Sequence, residues 1–300
     1  MDNPIVAFVV LNYNDYAITS DYIKRINHYS VINHIVIVDN FSTDGSFEKL
    51  QPLASDKVDV IKTFANEGYA RGNNYGIRYA IDKYNPDIIA ISNPDIEITE
   101  HFVESMVNEL ENSDDRTGLI SGIEYHNGSM EATSAWRLPN FTFCNIEQLN
   151  VFPRLYKGLQ LKYSGDELRT KDKYPVDVVP GCLFFVKTKV FSEVGLFDED
   201  TFLYYEENIL ARKLKEKGYQ NYIYSKYSYI HKESVSINKS FPKWKKKFDI
   251  AYDSRKLYCQ KYLRINRLQI VLLRITYLIG ILEYKVFYEI SAIRNGQMNK

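Results

Sequence analysis

Apolar runs alternate with helically spaced segments through the first two thirds of the chain. Ile5 to Leu11 is continuously apolar and rich in β-branched residues, the composition of a central parallel strand covered on both faces. Ile18, Tyr22, Ile23 and Ile26 follow at helical spacing, and Ile35 to Val38 reads as a second buried strand. A short helix and a third strand, Val58 to Lys62, come next, and Ile77 to Tyr84 reads as a helix. Ile88 to Ile91 predicts another strand, Thr99 an N-cap for a helix over Glu100–Glu111, and Leu119 to Tyr125 a further strand. Such alternation implies parallel βαβ units and an α/β fold.

From His126 to Tyr174 the periodicity is poor, which predicts loops and short elements covering one side of a site. There Trp136-Arg137-Leu138-Pro139 reads as a buried aromatic anchor in preference to an acceptor pocket. The pattern returns with strands at Val176–Val179 and Leu183–Val186, and a short helix over Thr188–Val194 ends at Gly195. A helix from Glu206-Glu207 to Lys217 stops at Gly218, and a tyrosine-rich strand region covers Tyr222–Ile230.

Composition adds constraints. Hydrophobic residues at 45% and charged residues at 25% are ordinary for a globular chain, which argues against global disorder. Lys+Arg and Asp+Glu both total 38, so net charge gives no case for nucleic acid. Charge is concentrated locally: between Lys239 and Arg274 stand eleven basic residues against Asp249 and Asp253. The following run, Leu268 to Leu282, is apolar but short of the roughly 20 residues of a spanning helix and is broken by Arg274. An amphipathic helix on an anionic membrane surface fits it better than a transmembrane span; a helical pair docked on the preceding domain is the alternative, and the two are not exclusive. The cysteines, Cys144, Cys182 and Cys259, are widely spaced, which suits a reducing cytoplasm and argues against a disulfide framework or a zinc site. The N-terminus lacks the features of a signal peptide.

Candidate chemistry falls at strand ends and helix starts. Asn93-Pro94-Asp95 ends a strand, where ligands of open α/β sheets sit, and a carboxylate there can hold Mg²⁺ or Mn²⁺ against a diphosphate. On the tripeptide alone, a cap for the next helix is the better explanation of Asp95. Asn66 to Gly76 is small and polar; its glycines before a helix would admit a phosphate and Arg71 would add a cation, or they serve packing alone. Glu206 and Glu207 open a helix, where acids also favour the macrodipole; being adjacent, they point in different directions, so one would face a ligand while the other orients it. A lone His231 is by default structural.

In this order the motifs Val9-Val10-Leu11-Asn12-Tyr13-Asn14, Ile37 to Ser46, Asn66 to Gly76, Asn93-Pro94-Asp95, Val179-Pro180-Gly181 and Gly195 to Gly218 resemble the family 2 glycosyltransferases of GT-A fold, particularly rhamnosyltransferase-like members of bacterial polysaccharide assembly. The resemblance covers most of residues 4–232. It implies a Rossmann-like nucleotide-binding half, about residues 1–125, fused to an acceptor-binding half, about 126–232, around a mostly parallel sheet; residues 233–300 read, from their own pattern, as a helical extension. It implies that Asn12 and Tyr13 contact the nucleoside and Asp39 the pyrimidine ring, while Asn66, Gly68, Arg71 and Asn93 line the nucleotide and diphosphate. Asp95 would correspond to the last acid of a D-x-D metal element, with His231 approaching the same Mg²⁺ or Mn²⁺. The family's Glu-Asp pair aligns with Glu206 and Glu207, which makes Glu207 the base and Glu206 its neighbour. Two departures bear on that role: the second acid is Glu, and Ile209 replaces a further acid common in the motif. The activity implied is inverting transfer from a UDP- or dTDP-sugar to a glycan or lipid-linked acceptor; the basic, apolar tail would hold the enzyme at the inner membrane face. A sugar nucleotidyltransferase and a non-catalytic nucleotide-sugar-binding scaffold are the alternatives; the first lacks its glycine- and arginine-rich loop, since Asn12-Tyr13-Asn14-Asp15 stands there.

Overall fold

Strand β1 (Val6–Asn12) runs parallel to β2 (His34–Asp39) on one side and to β4 (Ile88–Ser92) on the other, and β3 (Val58–Lys62) extends β2. The computed structural model describes residues 3–126, 129–130, 134–149, 161–232 and 244–294. It divides into two units: Met1–Leu138 with Lys162–Pro242, and Pro139–Leu161 with Lys243–Lys300.

In the first unit the sheet order is β3-β2-β1-β4-β9-β6-β10-β5, where β5 is Ile96–Glu97, β6 Thr117–His126, β9 Leu183–Lys187 and β10 Gln220–His231. β9 is antiparallel to β4 and β6, whereas β10 runs parallel to β6. Alternation along the strands builds two cores. Phe8, Val10, Ile35 and Ile37 face helix α1 (Tyr16–Ile26) through Tyr22, Ile23 and Ile26, and α4 (Glu100–Glu111) joins them through Val103, Met106 and Leu110. Ala7, Val9, Val36 and Val38 face α3 (Tyr69–Tyr84), together with Phe184, Phe191 and Phe197. Each buried large apolar side chain contributes roughly 1.5–3 kcal/mol. Thr99 caps α4 as expected, its hydroxyl accepting from the Phe102 N–H at 3.1 Å.

The expected helix boundary at Ile77 is corrected: α3 begins at Tyr69, so Gly72 and Gly76 lie inside it. A Cβ at Gly72 would stand 2.6 Å from Leu11, and one at Gly76 2.4 Å from Val38 and 2.7 Å from Val9. These glycines let the helix lie directly on the sheet, and only Gly68 turns the loop before it.

In the second unit, α5 (Phe141–Ile146) meets the final helix, Arg267–Arg294, here called α10. Helices α6 (Gly165–Leu168), α7 (Thr188–Glu193) and α8 (Glu206–Glu216) belong to the first unit, and α9 (Trp244–Leu257) to the second. Asn266 and Gln269 form a reciprocal capping box at the start of α10, at 2.9 and 3.0 Å. Thr276 accepts from Gln148 Nε2 at 2.7 Å, and a Cβ at Gly280 would lie 2.1 Å from the Gln148 carbonyl oxygen. Trp244 stacks on Tyr284, and Tyr252 on Tyr277. Thr276 and Gly280 therefore face inward, whereas Arg274 is exposed. Leu268, Val271, Leu272, Ile275, Leu278, Ile279, Leu282 and Val286 are left facing out, between 43% and 81% exposed. No helix among the described residues is long and apolar enough to cross a membrane.

Candidate active site

Asp95 and His231 are brought together by strand pairing. β5 pairs antiparallel with the end of β10, setting His231 opposite Ile96, and the Lys232 N–H donates to the Asp95 carbonyl at 2.9 Å. The Asp95 Oδ1 and His231 Nε2 atoms then stand 3.3 Å apart, on side chains 10% and 18% exposed. Both atoms are buried and neither makes a hydrogen bond among the described residues. On the other side of the ring, His231 Nδ1 lies 2.8 Å from Glu124 Oε1, because parallel pairing of β6 with β10 places Glu124 opposite Tyr229.

A divalent cation fits these atoms. Two oxygen or nitrogen ligands of a Mg²⁺-sized ion at right angles are about 3 Å apart, close to the spacing observed. A carboxylate on the second ring nitrogen is the usual way to orient a metal-binding histidine, and Glu124 holds that place. Burial disfavours charge on the His231 ring, but Asp95, Cys182 and Glu124 all favour it, and the net effect pushes its pKa up to about 12.

Cys182 adjoins this centre. It precedes β9, its carbonyl accepts from the Asn93 N–H at 2.8 Å, and its Sγ lies 3.5 Å from the Tyr229 hydroxyl. Burial pushes its thiol up, and the negative charge of Glu124 adds to that. Ligand atoms of Glu124, Cys182 and His231 all lie within 4.8 Å of one another. Neither Glu124 nor Cys182 stands among the residues expected from the sequence. Glu124 sits near the end of a strand, as Asp95 does, and that was its available signal.

The acidic pair opens helix α8, and the backbone before it is unusual. Tyr204 and Tyr205 both have positive φ, 69° and 67°, a conformation that costs of order 1–3 kcal/mol each for a non-glycine residue and tends to mark functional segments. Glu206 is buried, and its carboxyl is held well above the usual carboxylate range, by burial first and then by the charge of Glu207. Glu207 is half-buried, and its carboxyl carbon lies 3.8 Å from the position a Cβ on Gly181 would take. The Tyr69 hydroxyl, 2.8 Å from the Gly181 carbonyl and 3.2 Å from Asn93 Oδ1, ties the pair to the strand end that carries Asp95. Trp136 braces the same helix, donating from Nε1 to Asn208 Oδ1 at 2.8 Å.

The residues expected to hold the nucleotide form a second group at the ends of β1 and β2, where Asn12 pairs with Asp39. Asp39 is fully buried; its Oδ2 accepts from Asn12 Nδ2 and its Oδ1 from the Ser42 N–H, both at 2.9 Å. Asn40 links to Asn66 Oδ1 at 3.1 Å and to the Gly68 carbonyl at 3.2 Å. Tyr13 is half-buried beside them. Arg71 donates from Nε to the Glu199 carbonyl at 2.9 Å and pairs with Glu67 at 3.0 Å, so much of its fork is spent on protein. It borders a cleft of about 110 Å³ with Asn40, Thr63, Gly72, Tyr75 and Arg78. Asn74 joins this cross-link, donating to the Phe197 carbonyl and accepting from the Phe197 N–H.

Comparison with known proteins bears on the family and the fold. The hexosyltransferase Agl10 of low-salt glycan biosynthesis in Haloferax volcanii is 27% identical over 202 residues, 67% of this chain and 59% of that protein. The dTDP-rhamnosyl transferase RfbF of Shigella flexneri is 26% identical over 203 residues, 65% of this chain and 61% of that protein. The chain thus spans about three fifths of the length of these curated relatives. Two solved structures share its fold. The mannosyltransferase PcManGT from Pyrobaculum calidifontis, in complex with GDP-Man and Mn²⁺, has a TM-score of 0.59 at 13% identity, covering 95% of this chain and 75% of that one. GalNAc-T7 with UDP, GalNAc and Mn²⁺ has a TM-score of 0.62 at 15% identity, covering 97% and 58%. The fold is therefore the GT-A fold. The sequence profile named "Glycosyl transferase family 2" matches residues 8–195, which hold Asp39, Asp95 and Cys182, and the chain belongs to that family.

Proposed function

We propose that this chain is an inverting glycosyltransferase that moves a sugar from a nucleoside diphosphate to a hydroxyl of a glycan or lipid-linked glycan. The observation that carries the reading is the convergence, at one set of strand ends, of a cation-fitting pair with an acidic pair opening a helix. Asp95 and His231 would hold Mg²⁺ or Mn²⁺, with Glu124 fixing the imidazole. When bound, that ion would neutralise charge developing on the departing diphosphate. Glu207, the less buried acid, takes the acceptor proton as general base. Glu206, its carboxyl held well above the usual carboxylate range by burial and by the charge of its neighbour, orients Glu207. Asn12, Tyr13 and Asp39 would border the base of the nucleotide, with Asn66, Gly68, Arg71 and Asn93 along it. A dTDP-linked donor is favoured by the dTDP-rhamnosyl transferase to which the chain is similar, with a UDP-linked hexose as the alternative. The test is a panel of nucleotide sugars with Mn²⁺, scored for donor consumption and product anomer. Inversion at the anomeric carbon is expected; a retained anomer, or nucleotide-sugar binding with no turnover on any acceptor, refutes the reading.

We also propose that α10 lies in the surface of an anionic bilayer, on the cytoplasmic side. Its outward face is apolar, and the exposed charges along the part whose side chains are described are Arg267, Arg274 and Lys285, all basic. A second copy would meet like charges there, whereas anionic lipid would not.

A further inference from the structure

The cation pair Asp95–His231 accounts for oxygen- and nitrogen-ligated ions. It gives no role to the sulfur beside it. Glu124, Cys182 and His231 are the one group of three or more His, Cys, Asp or Glu side chains placed for a metal among the described residues. A carboxylate, an imidazole and a thiol are the ligand types of zinc, and sulfur discriminates for soft ions over Mg²⁺ and Mn²⁺. Ligand atoms round a zinc-sized ion are about 3.5 Å apart, so atoms now within 4.8 Å close on it by side-chain rotation. The cysteine is placed firmly for this: its backbone carbonyl is bonded to Asn93, and Leu183 after it is in register with Ser92.

We propose that Glu124, Cys182 and His231 form a thiophilic cation site, through which a zinc-class ion binds this centre by the Cys182 sulfur and displaces the ion held by Asp95 and His231. Binding is a ligand exchange without redox change: the thiol gives its proton to solvent and its sulfur electron pair to the cation. A ring nitrogen of His231 joins it, also giving up its proton. The two modes exclude each other because they share His231, which in the first is fixed by Glu124 and faces Asp95. Free zinc-class ions would then inhibit an enzyme that works with a hard ion. Metal binding is measured on the protein alone, so this inference stands or falls apart from the glycosyl-transfer reading.

The test is a cobalt(II) titration of metal-free full-length protein, followed by near-ultraviolet absorption. A thiolate-to-cobalt charge-transfer band is expected, lost in Cys182→Ser and kept in Asp95→Asn. The Cys144→Ala/Cys259→Ala double variant should keep the band, which separates it from the buried cysteines of the second unit. Cobalt affinity in Cys182→Ser should fall by at least the roughly 10–100-fold that loss of an outer-shell partner costs. Zinc should also release Mn²⁺ from the wild-type protein, read as the return of the free-ion EPR signal. Should Cys182→Ser fail to fold, cadmium-113 NMR of the wild type decides: a shift typical of one sulfur ligand supports the site, and an all-oxygen shift overturns it. No charge-transfer band in the wild type, or the same band in Cys182→Ser, also overturns it.

Discussion

Gly68 is where the loop before α3 and the segment before α8 touch, and replacing it tests how rigidly the acidic pair is presented. Its φ of 95° and ψ of −175° fall in a region essentially reserved for glycine. A Cβ there would lie 2.0 Å from the Phe202 carbonyl oxygen and 2.6 Å from its carbon, both backbone atoms that no rotamer change can move. The same carbonyl accepts from the Tyr69 N–H at 2.8 Å, so relieving the clash breaks that bond. Strain of roughly 1–3 kcal/mol, overpacking of about 1–3 kcal/mol and a lost bond of about 0.5–1.5 kcal/mol give about 3–7 kcal/mol for Gly68→Ala. At about 2–4 °C per kcal/mol for a unit of this size, Tm should fall by roughly 6–28 °C. Thermal unfolding measures the loss, and hydrogen exchange locates it. Amides of residues 198–206 should lose protection more than those of β1 and β2. Wild-type Tm and unchanged exchange there would refute the claim that this contact fixes the segment leading to Glu206.

Asp95→Asn removes half of the proposed cation pair and should weaken Mn²⁺ binding, seen by EPR, with a matching loss of metal-dependent nucleotide affinity; full turnover in the presence of chelator would contradict it. Because the metal-free protein keeps His231 protonated far above the ordinary histidine range, loading should release about one proton per ion near neutral pH, read by calorimetry in buffers of different ionisation enthalpy. The sign follows from the raised value: protons compete with the ion below about pH 12, so affinity rises with pH across the neutral range. Full-length protein should co-sediment with anionic vesicles at low salt and detach when Leu268, Ile275 and Leu282 are changed to Gln; a soluble dimer that ignores vesicles would assign the α10 face to a second copy instead.

Much of the first unit was legible because its central strands β1, β2 and β4 are almost wholly buried and its caps are local. The Val58–Lys62 strand and the Thr99 cap need only the residues around them. Asp95 could be singled out for the same reason: a strand end followed by a turn is a local pattern. The start of α3 was not, because glycines look like loop until the side chains of Val9, Leu11 and Val38 fill the space beneath them. Glu124 and Cys182 were missed as site residues because their partners arrive through β6–β10 and β4–β9 pairing, far apart in the chain. Residues 127–128, 131–133, 150–160 and 233–243, which include part of the expected loop region and the start of the basic block, lie outside the described residues. For α10 the sequence showed an interrupted apolar run, but only the packing shows that Thr276 and Gly280 point inward.

The assignment of Glu207 as base is tested most directly by comparing Glu207→Gln with Glu206→Gln. Both variants are read for transfer rate and donor dissociation constant with saturating Mn²⁺. Glutamine keeps the size and hydrogen bonding of Glu207 but cannot take a proton, so transfer should fall by ~10²–10⁴ while donor affinity stays near wild type. Glu206→Gln should be milder, since a residue that only orients its neighbour can do so as an amide of the same size. If Glu206→Gln abolishes transfer and Glu207→Gln does not, the base is the buried residue, and if neither changes the rate, the mechanism is wrong.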